Sequence, residues 1–371
     1  MPTALDPARL RELVKQTASF LGTAPGRPHP CYAGAVVLAG TGSGGVAVHK
    51  AMGWALRYRR YDEGTGRAVE LPRQRWIPMR RETVFDLASL TKLFTAVVAV
   101  RQAERGVLGL DDRVADHLPG FGGHGKQEIT VRHLLTHTSG LRAELPFHRH
   151  PVPDRERLLF TEPPVHPPGT ARLYSDLNFI ALQWLLERTS GQGLDTLVRE
   201  HITAPLGMEA TRFNPPAGWR GRIAATEDQR RPWGRLDRGL VHGQVHDENA
   251  YAFGGVAGHA GLFSDARDLS VLCRALLAGG VHRGRRFLAE RSVAALLGGL
   301  GFELNQPGYM GELAGPRTAG HTGFTGTCLI LDPVTDTFLV LLSNAVHPYR
   351  GWSGNLPRAA AATHLARAVR R

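Results

Sequence analysis

Strand-forming and helix-forming periods are segregated along this chain, strands towards both ends and helices between them, and that order limits the folds open to it. Apolar residues 35–39 and 46–49 flank a glycine cluster at 40–45, and Val46, Val48, Met52, Trp54 and Leu56 follow a period of two. Gly40, Gly42 and Gly45 match the GxGxxG spacing of a dinucleotide site, but that fingerprint needs a helix after its last glycine. The alternation predicts a strand, loop, strand hairpin instead. From Ser89 the period becomes helical: Leu90, Leu93, Phe94, Val97, Val98 and Val100 form a broad apolar face that stops at Gly106, as expected of a deeply buried helix. Further helices, notably 131–136 and 176–188, follow between proline and glycine loops. Strands return at 327–331 and 337–342, joined by a turn over 332–336. An alanine-rich helix over 356–370 is expected to lie on that sheet. The pattern predicts an α+β protein: an antiparallel sheet flanked by helices, built from 1–106 and 251–371, with an all-helical lobe from 107–250 inserted. The cleft between the lobes is the expected site.

Composition removes several classes of function. With 371 residues, 42% hydrophobic and 21% charged, the chain buries a core and is not disordered. The net charge of +12 would suggest a polyanion partner if the basic residues were clustered, but they are scattered, and only four are lysines: Lys15, Lys50, Lys92 and Lys126. Nucleic-acid binding is therefore not expected. Cys31, Cys273 and Cys328 are odd in number and widely spaced, which fits a reducing compartment. Residues 1–22 read as an amphipathic helix, Leu10, Leu13, Val14 and Phe20 interrupted by Arg9, Arg11, Glu12 and Lys15, and not as a signal peptide. No stretch of about 18 uncharged apolar residues follows, and a cytoplasmic location is expected.

Ser89-Leu90-Thr91-Lys92 opens the buried helix, and a separation of three puts both side chains on one helical face. A serine nucleophile needs a base, and a helix start offers free N–H groups for an oxyanion. Arginine stays charged at any working pH, so a lysine in a chain that otherwise uses arginine is informative. Bringing its pKa from about 10.4 to about 7 corresponds to about 4 to 5 kcal/mol of differential stabilisation. Two more segments stand at places suited to chemistry. Tyr174-Ser175-Asp176 precedes the helix containing Asn178, Phe179 and Leu182, and His321-Thr322-Gly323 leads into Phe324 and the first late strand. His242, His246, Asp247 and His259 have plausible ligand spacing, but the HExxH helix pattern is missing, and no metal or other cofactor is expected. His137 and His259 are expected to pack or to hold loops.

The three motifs in this order, with the segments 83–92 (TVFDLASLTK), 134–141 (LLTHTSGL), 254–263 (GGVAGHAGLF) and 320–324 (GHTGF), resemble the serine β-lactamase and penicillin-binding-protein superfamily. The likeness is to its class C-like branch, which includes esterases, DD-peptidases and D-aminopeptidases, and covers about residues 30 to 345. It implies a β-lactamase-like fold, Ser89 as acylated nucleophile, Lys92 as its proton partner and Tyr174 as general base and acid. It further implies an oxyanion hole from the N–H groups of Ser89 and Phe324, and substrate contacts from Asp176, His321, Thr322 and Gly323. A nearby cation would lower the phenol, so Lys92 and Tyr174 are expected to share one proton network.

Two departures bear on the substrate. Many relatives have asparagine where this chain has Asp176, and an ionised carboxylate donates no hydrogen bond, so Asp176 is expected to orient Lys92. His321 stands where lactamases have lysine and would bind a substrate carboxylate less well above about pH 6.5; if it acts as a cation, KM for acidic substrates should rise between about pH 6 and pH 8. A Ser, His, Asp triad through His321 is the weaker arrangement, since Lys92 and Tyr174 already meet the need for a base. The expected function is a cofactor-free serine acyl hydrolase acting on a small-molecule acyl substrate, either an ester or a β-lactam or D-amino-acid amide. The alternative is a slow penicillin-binding or ligand-binding protein that keeps the pocket.

Overall fold

The structure, a computed structural model, describes residues 3–370. Its centre is one antiparallel sheet of seven strands: β1 (Gly34–Thr41), β2 (Gly45–Leu56), β3 (Ile77–Pro78), β4 (Glu303–Leu304), β5 (Ala319–Thr322), β6 (Cys328–Asp332) and β7 (Thr337–Ser343). Their spatial order is β4-β5-β6-β7-β1-β2-β3, so strands from the two ends of the chain meet where β1 pairs with β7, Val36 opposite Leu342 and Leu38 opposite Val340. The glycine cluster makes the β1–β2 hairpin. A Cβ on Gly40 would stand 2.0 Å from the Gly45 carbonyl oxygen, and Gly45 has φ +84°.

Successive strand residues face opposite sides of the sheet, and here both sides are buried. Val36, Leu38, Val340 and Leu342 enter one core; Ala35, Val37, Leu339 and Leu341 enter another. The second core is closed by α1 (Pro7–Ser19) and, at the other end of the chain, α5 (Leu356–Ala368). Asp6 caps α1 by accepting from the Ala8 N–H at 2.7 Å. The two ends meet, the Arg370 N–H donating to the Ala4 carbonyl at 3.0 Å and the Asp6 N–H to that of Ala368 at 2.8 Å.

The first core holds α2 (Thr91–Glu104), α3 (Asp176–Ser190) and α4 (Ala266–Leu277). It runs without a break from the sheet into the inserted region, taking in Leu134, Leu159, Leu182 and Leu197. Helices fill that region as far as Leu206, but beyond it loops predominate, with the two-residue strands Arg212–Phe213, Asp228–Gln229 and Gly239–Leu240. Arg212–Phe213 pairs with Leu262–Ser264, which pairs in turn with Phe85–Asp86. The description "all-helical" therefore suits only the first hundred residues of the insert, because a two-residue strand leaves no periodic signature.

Candidate active site

Ser89 does not open the α-helix itself. It sits in a 3-10 turn, Ala88–Leu90, directly before α2. Asp86 forms that turn: one carboxylate oxygen accepts from the Ala88 N–H at 2.9 Å and the other from the His246 N–H at 2.6 Å. Ala88 is held at φ +47°, a left-handed conformation costly for a residue with a Cβ. Burial pushes the Asp86 carboxyl up.

One turn along, Lys92 is fully buried. Its Nζ donates to Ser89 Oγ at 3.0 Å and to the His259 carbonyl at 3.2 Å, and pairs with Asp176 Oδ1 at 2.8 Å. The Tyr174 ring lies beside it, centroid 4.9 Å from Nζ. Burial opposes the Lys92 charge, yet Asp176 and then Tyr174 outweigh it, and the net shift is upward. The Tyr174 phenol is also pushed up: burial exceeds the opposing charge of Lys92, and Asp176 adds to the rise. The expectation of a lysine brought down towards neutrality and a phenol lowered by its cation is thus reversed. For Lys92 the cause is the carboxylate of Asp176, which stands at the head of α3 and forms an ion pair with it; for Tyr174 the first cause is burial.

His137 holds the Tyr174 segment in place. Its Nδ1 accepts from the Ser175 N–H and from Asn178, each at 3.1 Å, its carbonyl accepts from the Leu173 N–H at 2.9 Å, and its ring lies 4.6 Å from that of Tyr174. Burial, with the Lys92 charge, holds its pKa down at about 2, so it is neutral. His321, on β5, is buried and its Nδ1–H donates to the Thr322 carbonyl at 2.7 Å. Burial lowers its pKa to about 4, so the imidazole is neutral from pH 6 to 8 and supplies no cation for a substrate carboxylate. A neutral His321 predicts a KM for acidic substrates that does not change between pH 6 and pH 8, unlike the rise expected of a cationic one.

The turn after β5 docks on the segment before Ser89. Thr325 Oγ1 donates to the Asp86 carbonyl at 2.7 Å and Thr327 Oγ1 to that of Leu87 at 3.0 Å. A Cβ on Gly323 would lie 2.0 Å from Thr327 Oγ1 and 2.3 Å from the Leu87 oxygen, so only glycine allows this approach. Among the described residues, no carbonyl takes up the N–H of Ser89 or of Phe324. The Phe324 side chain is half exposed, stacked against His246 at 5.5 Å with Arg350 5.9 Å from its ring.

Ser89, Tyr174, Asp176 and Phe324 line one cavity of about 240 Å³; His321, Thr322 and Gly323 do not line it. Of the rest of the lining, His246 and Asp247 were singled out by spacing as metal-ligand candidates, whereas Glu144, Arg235, Glu248 and Arg350 were not foreseen. Arg235 meets Glu144 through both guanidinium ends at 2.5 and 2.7 Å, Arg350 meets Glu248 at 2.6 Å and the buried Glu227 at 2.7 Å, and Asp247 meets His259 at 3.0 Å. The histidines weighed as metal ligands are divided among these pairs: His246 binds Glu227 at 2.8 Å and His242 the Ile223 carbonyl at 2.9 Å. No group of three metal-ligating side chains is found among the described residues, and no helix there is long and apolar enough to cross a membrane.

A cleft with a serine and a buried lysine at the head of a central helix, on an α+β scaffold, defines a serine hydrolase. The chain belongs to the β-lactamase family, whose sequence model matches residues 32–364. A putative D-alanyl-D-alanine carboxypeptidase of Escherichia coli (strain K12) is 35% identical over 306 residues, 71% of this chain and 70% of that one. A penicillin-binding protein homologue from Caulobacter crescentus has the same fold, with TM-score 0.73 at 21% identity over 99% of both chains. EstCE1, a hydrolase with promiscuous acyltransferase activity, superposes with TM-score 0.68 at 22% identity over 97% of this chain and 98% of its own.

Proposed function

We propose that the protein is a serine acyl hydrolase that forms a covalent ester at Ser89 and acts best on small, neutral acyl esters. The observation that carries this reading is the contact of Ser89 Oγ with the fully buried Lys92 Nζ at 3.0 Å, with the half-buried Tyr174 ring beside it. Lys92 and Tyr174 titrate as a pair. After the pair loses one proton, the phenolate beside the ammonium takes the Ser89 proton while Oγ forms a bond to the substrate carbonyl carbon. The carbonyl electrons move to oxygen, which the Ser89 and Phe324 N–H groups receive. Collapse breaks the bond to the leaving group, which takes the proton from Tyr174; water then releases the acyl group by the same steps in reverse.

The preference for neutral substrates rests on charge. Arg235 and Arg350 are both paired with carboxylates, Lys92 is paired with Asp176, and His321 is neutral. Among the described residues lining the cavity, no cation is free to receive a carboxylate next to the reactive carbonyl. The description of the Escherichia coli relative supports a second reading, a D-alanyl-D-alanine carboxypeptidase, and that of EstCE1 supports ester chemistry.

A fluorophosphonate probe should add to the wild-type protein and not to Ser89→Ala, and a short p-nitrophenyl ester should be turned over many times by the wild type alone. Absence of any adduct on folded protein overturns the nucleophile. Release of a single equivalent of p-nitrophenol would favour a slow binder, and faster cleavage of a D-alanyl-D-alanine peptide than of the ester would favour the second reading.

A further inference from the structure

Arg358, near the start of α5 on the far side of the sheet from the cavity, is 5% exposed and has no carboxylate at ion-pair distance among the described residues. A buried cation without a counter-ion is costly unless strong dipoles replace one. Four neutral acceptors surround it. The guanidinium donates to the Gly323 carbonyl at 2.6 Å, the Thr327 carbonyl at 3.2 Å, the Gly354 carbonyl at 3.1 Å and the Asn355 side-chain oxygen at 2.7 Å. The shortest of these contacts is to the carbonyl of the peptide unit whose N–H belongs to Phe324.

That unit is planar, with C=O and N–H pointing in opposite directions when trans. A guanidinium drawing the Gly323 carbonyl from behind therefore aims the Phe324 N–H towards the cleft. A charge-assisted bond to the carbonyl also polarises the amide and makes its N–H the stronger donor. Gly323, which tolerates no Cβ beside the Leu87 carbonyl, lets this segment approach closely. We propose that Arg358 is a positioning residue that orients and polarises the Gly323–Phe324 peptide as an oxyanion donor from outside the active site. The proposal rests on the reading of Ser89 as an acylated nucleophile.

The test compares an oxygen ester with its thionoester, whose sulfur is a poor hydrogen-bond acceptor, in the wild type, Arg358→Lys and Arg358→Met. Losing one oxyanion donor outright costs about 10² to 10³ in kcat; a misaligned donor should cost part of that, about 10-fold to 100-fold in kcat for Arg358→Met with little change in KM. The thionoester should lose much less, so the preference for oxygen over sulfur falls. Arg358→Lys, with one donor and the charge retained, should fall between. Parallel loss on both substrates would mean a merely structural role and overturn the proposal, as would an unchanged preference. If Arg358→Met does not fold by circular dichroism, Arg358→Lys decides by the same criterion. Wild-type protein that no probe labels at Ser89 would sink the hydrolase reading and this proposal together, whereas labelled wild type with unchanged preference in the variants sinks the proposal alone.

Discussion

Lys92 donates a hydrogen bond to Ser89 Oγ, and its surroundings keep it charged. In the resting protein the ammonium is paired with Asp176 and the phenol is protonated, so one proton must leave before Ser89 is activated. Activity is therefore expected to rise with pH towards the alkaline side. Asp176 raises the proton affinity of both Lys92 and Tyr174, and Asp176→Asn, which removes that charge and keeps the shape, should move the rising limb of kcat/KM to lower pH. A pH–rate profile measured on both proteins checks this, and an unmoved limb would exclude the pair as the titrating unit. That Ser89 and Lys92 share one helical face was legible in the sequence because a spacing of three is a local fact; the part expected of Tyr174 came from the family resemblance. The direction of the Lys92 and Tyr174 pKa shifts was not legible, because it depends on burial and on how the Asp176 carboxylate is set against Lys92 in three dimensions. Arg235–Glu144 and Arg350–Glu248 were illegible for the same reason, their partners lying 91 and 102 residues apart.

Elements with a long, consistent period were read correctly: β1 and β2, the buried α2, the β6–β7 hairpin and α5. The reading of 1–22 as a helix resolves to Pro7–Ser19, with Met1 and Pro2 outside the described residues. What pattern could not show is how short elements are pinned. Lys126 is buried and donates to the Phe160 and Glu162 carbonyls at 2.8 and 2.7 Å, closing the C-terminal end of the helix Val152–Thr161, where a cation suits the helix dipole. Burial nevertheless lowers its pKa to about 8. Between that value and the unfolded lysine value of about 10.4 the unfolded chain binds more protons than the folded one, so this group makes stability rise with pH across that window. Lys126→Met should lose that contribution, so the stability of the wild type relative to the variant should grow between pH 8 and pH 10. Urea midpoints at the two pH values measure it, and a constant difference would show that Lys126 is not buried as a cation.

At the scale of the molecule, the two-lobed division expected from the strand and helix periods meets a core that crosses it. Val36 and Leu38 of the sheet pack into the same apolar body as Leu134, Leu159 and Leu182 of the insert, so the insert shares its interior with the sheet, whose other face keeps a second core of its own. Chains this long often unfold in stages. Here the shared interior predicts one transition, with loss of ester hydrolysis and loss of far-ultraviolet circular dichroism coinciding in denaturant; activity vanishing well before the helical signal would mean that the insert detaches first. The meeting of the chain's two ends, Leu5 bridged to Val369 beside the bonds of Ala4 and Asp6, points the same way. A short peptide could splice those ends and the chain be cut instead at an outer loop, with every contact of the sheet preserved. The architecture thus depends on which segments touch, and circular permutation would leave it recognisable.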